Sequence, residues 1–195
     1  MENYVISKVI SQIQNDLKSF NEIVSINDES GIYGIALKSS NFPYFSDSLI
    51  VKGTILYIGK SDNSVEKRAI KTHFANQKTG SSTVRRSLGA ILKDELNLIP
   101  VPRSMSESRC RDFTFINESE KKLTMWMINN LSIGFYNYSA GKKKLKALEI
   151  ELIKELAPIL NIKYNVSLNP HLSEIMELRS KCKNIAKAKF KNKNN

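Results

Sequence analysis

The sequence predicts an α+β fold: a small central, mainly antiparallel sheet of about three strands, flanked by helices. Three observations carry this. Residues 31–37, 54–59 and 131–138 are short apolar runs, rich in β-branched and aromatic side chains and bounded by turn formers. Between and around them, apolar residues recur at helical spacing. The chain has 195 residues, 41% of them hydrophobic, which is enough to bury a sizeable core.

Taken in order, residues 1–24 form an amphipathic helix. Val5, Val9, Ile10, Ile13, Leu17 and Phe20 mark its buried face. The first strand, 31–37, and the second, 54–59, are separated by residues 38–53, an insertion that contains Asn41-Phe42-Pro43-Tyr44-Phe45 and reads as a long loop. Ser64 opens a helix to about Gln77. Ser81, Ser82 or Thr83 caps the next, which runs to about Leu96 and buries Val84, Leu88, Ile91 and Leu92. Pro100 and Pro102 break the chain, and 111–116 alternates weakly as a short strand. Residues 118–130 read as a helix burying Leu123, Trp126 and Met127. The third main strand follows at 131–138. A strongly patterned helix then runs over 142–156, with Leu145, Leu148, Leu152, Ile153 and Leu156 inward, Glu149 at the border of the apolar face and Glu151 on a solvated side. A last helical segment and a basic, partly disordered tail end the chain. No linker separates two cores, so the expected organisation is a packing helix at 1–24, one domain at 25–165, and an appendage at 166–195.

The formal net charge is +11. An excess of that size points to a polyanionic partner, nucleic acid or an acidic membrane surface. No apolar run has the length to span a membrane, and the N-terminus lacks the pattern of a secretory signal, so a cytoplasmic protein is expected. Cys110 and Cys182, with two histidines, make no recognisable zinc site and read as two reduced thiols. Lys187, Lys189 and Lys191 lie in a C-terminal run without acids. Such a run is usually a solvated end, and on a nucleic-acid protein it adds nonspecific phosphate affinity. Arg85 and Arg86 sit in the first turns of a helix, beside free N–H groups; by themselves they read as a capped, solvated helix start, and in a nucleic-acid protein as a seat for a phosphate.

One ordered set of motifs ties these elements together. It comprises Gly31-Ile32-Tyr33, then Tyr57-Ile58-Gly59-Lys60, then Arg68 and His73, and finally Glu149 on its helix, followed by Pro158 and Asn161. Singly, Tyr33, Tyr57 and Glu149 would be ordinary strand and helix residues. In this order they resemble the GIY-YIG endonuclease family over roughly residues 31–161. The run 80–89, Gly-Ser-Ser-Thr-Val-Arg-Arg-Ser-Leu-Gly, is similar to a bacterial, stand-alone, restriction-like subgroup.

The resemblance implies the GIY-YIG nuclease fold and hydrolysis of DNA phosphodiester bonds. It implies that Tyr33 and Tyr57 share a cleft, with Tyr33 the expected base for the attacking water. Lys60 and Arg68 would lower that tyrosine's pKa, and Arg68 would neutralise the phosphate. Glu149 would hold one divalent cation, Mg²⁺ or Mn²⁺, per active site. Asn161 would orient the Glu149 helix or a catalytic side chain. His73 would relay protons, but the family's histidine follows its arginine by four residues and here the interval is five. One residue rotates a helical position by about 100°, so this role requires a local irregularity. The expected partner is DNA, with no membrane and no small-molecule cofactor. A monomer that nicks and a homodimer that cuts both strands both remain open. The rival readings are a structure-selective DNA repair nuclease and a nucleic-acid-binding module without catalysis. A membrane-surface protein lacks an apolar face beside the basic tail.

Overall fold

The computed structural model describes residues 3–23, 29–38, 42, 45, 50–104 and 112–194. Most of the 38–53 insertion, Cys110 and the side chain of Lys191 lie outside the described residues. The chain divides into two compact units, one of residues 1–71 and 127–170, the other of residues 72–126 and 171–195.

The first unit is built on a four-stranded antiparallel sheet in the order β1–β6–β2–β3. The strands are β1 (Lys18–Ser19), β2 (Gly31–Leu37), β3 (Ile55–Ser61) and β6 (Leu131–Asn137). Strand β2 lies between β3 and β6, and all seven of its residues are buried. That explains its sequence, a continuous apolar run instead of an alternating one. One face of the sheet is covered by α1 (Asn3–Asn15) and α5 (Lys142–Leu156). There Ile6, Val9 and Ile13 meet Ile32, Ala36, Ile55 and Ile58, with Leu145, Leu148, Leu152 and Ile153. Burying each of these Ile, Val and Leu side chains is worth about 1.5–3 kcal/mol. Helix α1 lies so close that a Cβ on Gly134 of β6 would strike the Ile13 carbonyl. Only a bare Cα fits there.

After β3 the expected helix is not uniform. Four α residues, α2 (Val65–Arg68), pass directly into a π-helical segment at Ala69–Phe74.

The second unit contains α3 (Thr83–Ile91), the hairpin of β4 (Pro100–Pro102) with β5 (Phe113–Phe115), most of α4 (Asn117–Asn130) and α6 (Leu172–Asn194). Helix α3 ends five residues before the expected Leu96. Pro100 and Pro102 form a strand instead of a break, paired with Phe115 and Phe113. Proline tolerates a strand whose partner lies on one side only. Phe115 meets Gly89 of α3 so closely that a Cβ there would clash. The C-terminal stretch is one 23-residue helix, not a disordered tail, because Ile175, Cys182 and Ala186 recur at helical spacing and are buried.

Candidate active site

The pairing of β2 with β3 sets the two motif tyrosines side by side. Tyr33 is opposite Gly59, and Tyr57 is opposite Ile35. Opposed residues share a face, as do residues two apart, so Tyr33 and Tyr57 are diagonal neighbours on one face. Their ring centroids are 6.1 Å apart, tilted by 39°. Gly59 explains itself here: a Cβ on it would strike both Cζ and the hydroxyl oxygen of Tyr33 and lie 2.8 Å from Tyr57 Cε1.

The two phenols differ in access. Tyr33 is fully buried, whereas Tyr57 is half-buried. Burial, reinforced by the neighbouring Tyr57 and Glu149, pushes Tyr33 well above its ordinary pKa; Arg68 opposes. Tyr57 is also raised, by burial and then by Glu149, while Arg68, the bond from Tyr33 and Lys146 pull it down. The interaction between the two hydroxyls raises Tyr33 and lowers Tyr57, so Tyr57 is the phenol that ionises first. The exposed Arg68 on α2 is the cation felt by both.

Lys60 stands elsewhere. Strand alternation puts it on the face of Ile58, opposite to Tyr57, and its ammonium binds Asp62 Oδ1 at 2.5 Å. Glu149, on α5, is 12% exposed, and Lys146 Nζ lies 2.6 Å from its Oε2. Lys146 also stands 4.3 Å over the Tyr164 ring. Glu151 is more open and pairs with Lys154. Among the described residues no three His, Cys, Asp or Glu side chains gather as a metal cage. A single, partly open carboxylate suits an ion such as Mg²⁺, which keeps several waters and takes its remaining ligands from phosphate oxygens.

Asn161 is buried and bonds to the β3 backbone twice. Its Oδ1 accepts from the Ile58 N–H and its Nδ2 donates to the Ile58 carbonyl, both at 2.8 Å. The Leu160 N–H adds a bond to the Leu56 carbonyl at 2.9 Å. The segment after α5 is thereby sewn to the motif strand. Asn165 and Asn169, which the sequence did not single out, fasten that segment through the carbonyls of Pro158 and Ile159.

Two expected site residues belong to the second unit and are fully buried. His73 follows Arg68 by five residues, the repeat of a π turn, and its Nδ1 lies 2.7 Å from Ser82 Oγ. Arg85 cannot meet a phosphate in this structure. It has no exposed surface, and its guanidinium bonds to Glu120 Oε2 at 2.7 Å, to Thr79 Oγ1 and to the carbonyls of His73 and Glu120. Arg85 is therefore an internal ion-pair residue, and Glu120 is the partner the sequence did not reveal. Arg86 is 15% exposed. Lys187 and Lys189 are exposed on α6.

Among the described residues no helix is long and apolar enough to cross a membrane. The family model for the GIY-YIG catalytic domain matches residues 31–181. Neither a curated protein nor a solved structure matches the chain. With the two tyrosines, the arginine and the carboxylate gathered on one α+β unit, and that model spanning most of the sequence, the chain belongs to the GIY-YIG family of DNA endonucleases, hydrolases of phosphodiester bonds.

Proposed function

We propose that this chain is a stand-alone, restriction-type endonuclease that uses Tyr57 as its base, Arg68 as its phosphate clamp and Glu149 as the ligand of one Mg²⁺ or Mn²⁺. The observation that carries it is the pair of motif tyrosines set side by side on one sheet face, ring centroids 6.1 Å apart, with the Arg68 and Glu149 charges acting on both. The resemblance of 80–89 to stand-alone members and the charge of +11 support the DNA-cutting role.

The sequence favoured Tyr33 as base. Exposure favours Tyr57, because a base must reach the water and Tyr33 has no surface. Tyr33 instead donates to the Tyr57 oxygen and so stabilises its phenolate. That phenolate takes a proton from the attacking water as the water oxygen bonds to phosphorus and the P–O bond breaks, its electron pair passing to the departing sugar oxygen, which takes a proton from solvent. Arg68 fits two phosphate oxygens with its planar fork and offsets their growing charge. An ion on Glu149, when bound, supplies Lewis-acid neutralisation of the phosphate. Asn161 is a positioning residue, holding the segment after α5 to β3. Lys60, engaged by Asp62, and His73, engaged by Ser82, are left outside the chemistry. Lys187, Lys189 and Lys191 add phosphate affinity.

Incubation with supercoiled plasmid and Mg²⁺, with and without EDTA, tests this directly. Discrete mapped ends that vanish with EDTA are the expected result. Binding without cleavage under either Mg²⁺ or Mn²⁺ would overturn it, and ends that follow DNA structure instead of sequence would overturn the restriction type.

A further inference from the structure

The second unit holds a group of charges that hydrolysis does not use. Arg86 on α3 directs Nη1 to Asp112 Oδ2 at 3.3 Å and to the Gly80 carbonyl at 3.3 Å. Arg103, just after β4, places Nη1 3.7 Å from the same carboxylate oxygen. Arg179 on α6 donates to Ser87 Oγ at 3.4 Å. Its guanidinium is lowered to about 10 by burial and by Arg86, with Asp112 opposing, so both charges reach it. Arg86 and Arg103 thus share one carboxylate, and Arg179, bonded to Ser87 next to Arg86, adds a third positive charge nearby.

These contacts are loose. Charge-assisted bonds run at about 2.7–2.9 Å, the length that Arg85 makes to Glu120. Neighbouring arginines on one helix turn therefore differ in kind: Arg85 is locked inside, while Arg86 is held weakly. Arg86 Nε is buried without a hydrogen-bond partner among the described residues, which native structures rarely leave so. Arg103 and Asp112 are open, at 45% and 51% exposure. Arg103 also lines a cleft of about 380 Å³ with Lys78, Gly80 and Ser81. An exposed arginine, Arg103, beside the less exposed Arg86 and one weakly held carboxylate suits a singly charged, multidentate oxyanion.

We propose that Arg86, Arg103 and Arg179 form a seat for one backbone phosphate of the DNA, with Asp112 holding the arginines together until the phosphate replaces it. This rests on the nuclease reading and extends it to the second unit. The contact positions DNA and reads no sequence.

The test is equilibrium binding of a defined duplex in EDTA, so that no strand is cut, over a salt series. Wild type is compared with Arg103→Ala, Arg103→Lys and Asp112→Asn, each checked for folding by thermal melting. Arg103→Ala should weaken binding and lower the log–log salt slope by up to about 0.9, so its deficit shrinks about threefold between 50 and 200 mM salt. Arg103→Lys should recover part of the affinity. Asp112→Asn should bind more tightly, because the competing carboxylate is gone. Unchanged affinity and slope in the exposed Arg103→Ala variant overturns the seat, whatever Asp112→Asn does. If wild type still cleaves plasmid in that case, only the seat fails. A wild type that binds no duplex overturns the nuclease reading and the seat together.

Discussion

Gly59→Ala tests the core geometry of the site with one methyl group. Gly59 lies in regular strand and has no positive φ, so an alanine there meets no backbone strain. The cost is steric. The new Cβ would strike both Cζ and the hydroxyl oxygen of Tyr33 and lie 2.8 Å from Tyr57 Cε1, where carbon contacts normally run at about 3.5–4.0 Å. The rings must recede by roughly 1 Å. Overpacking of a buried site costs about 1–3 kcal/mol, and a misplacement of that size costs about 10²-fold in rate. Urea melts should show the first and single-turnover cleavage of a duplex the second. In a Tyr33→Phe background the oxygen is gone, while the ring Cζ, equally close, stays, so the clash is relieved in part. The stability cost of Gly59→Ala should then shrink, with a coupling of about 0.5–3 kcal/mol. Wild-type stability and rate in Gly59→Ala, or strict additivity in the double variant, would refute this account of the motif glycine.

Three further outcomes are expected. Burial raises Tyr57, so single-turnover rates should climb about tenfold per pH unit towards pH 10 and beyond, and Tyr57→Phe should lose that slope with about 10²–10⁴ of rate. Tyr33 is also raised, so its contribution to stability is complete below about pH 10 and declines above it; urea midpoints should fall there, and less so in Tyr33→Phe. Glu120→Ala leaves the Arg85 charge buried without its partner and should cost about 3–5 kcal/mol in chemical melts. Lys146→Met frees the Glu149 carboxylate, so calorimetry should show tighter Mn²⁺ binding than in wild type, while Glu149→Gln should abolish it.

The strands that carry the tyrosines were legible because β2 is buried on both faces and must be apolar throughout. Helix α5 was legible for the opposite reason, a one-sided apolar stripe with Glu149 at its edge. Other features depend on partners far along the chain. Arg85 reads as a solvated helix-start cation until Glu120, 35 residues later, is seen beside it. The π segment requires the position of a single backbone turn, which side-chain pattern does not encode. Strand β4 was hidden because proline argues against strands except at an edge. Strand β1 has two residues, too few for any periodicity. The two units were invisible because each is made of two separated stretches, so no linker marks a boundary.

That interleaving has a consequence for synthesis on the ribosome. The β2–β3 hairpin, with both tyrosines, can form early, but the β6 strand that flanks β2 lies about a hundred residues downstream. Glu149 and the Asn161 stitch emerge later still, and Arg179 after them. A nascent chain therefore exposes an incomplete sheet edge for much of its elongation and carries no complete set of hydrolytic groups. Cutting competence arrives only when distant segments close on the first strands. Slow, long-range pairing of this kind makes the half-made protein prone to aggregate before it can damage DNA.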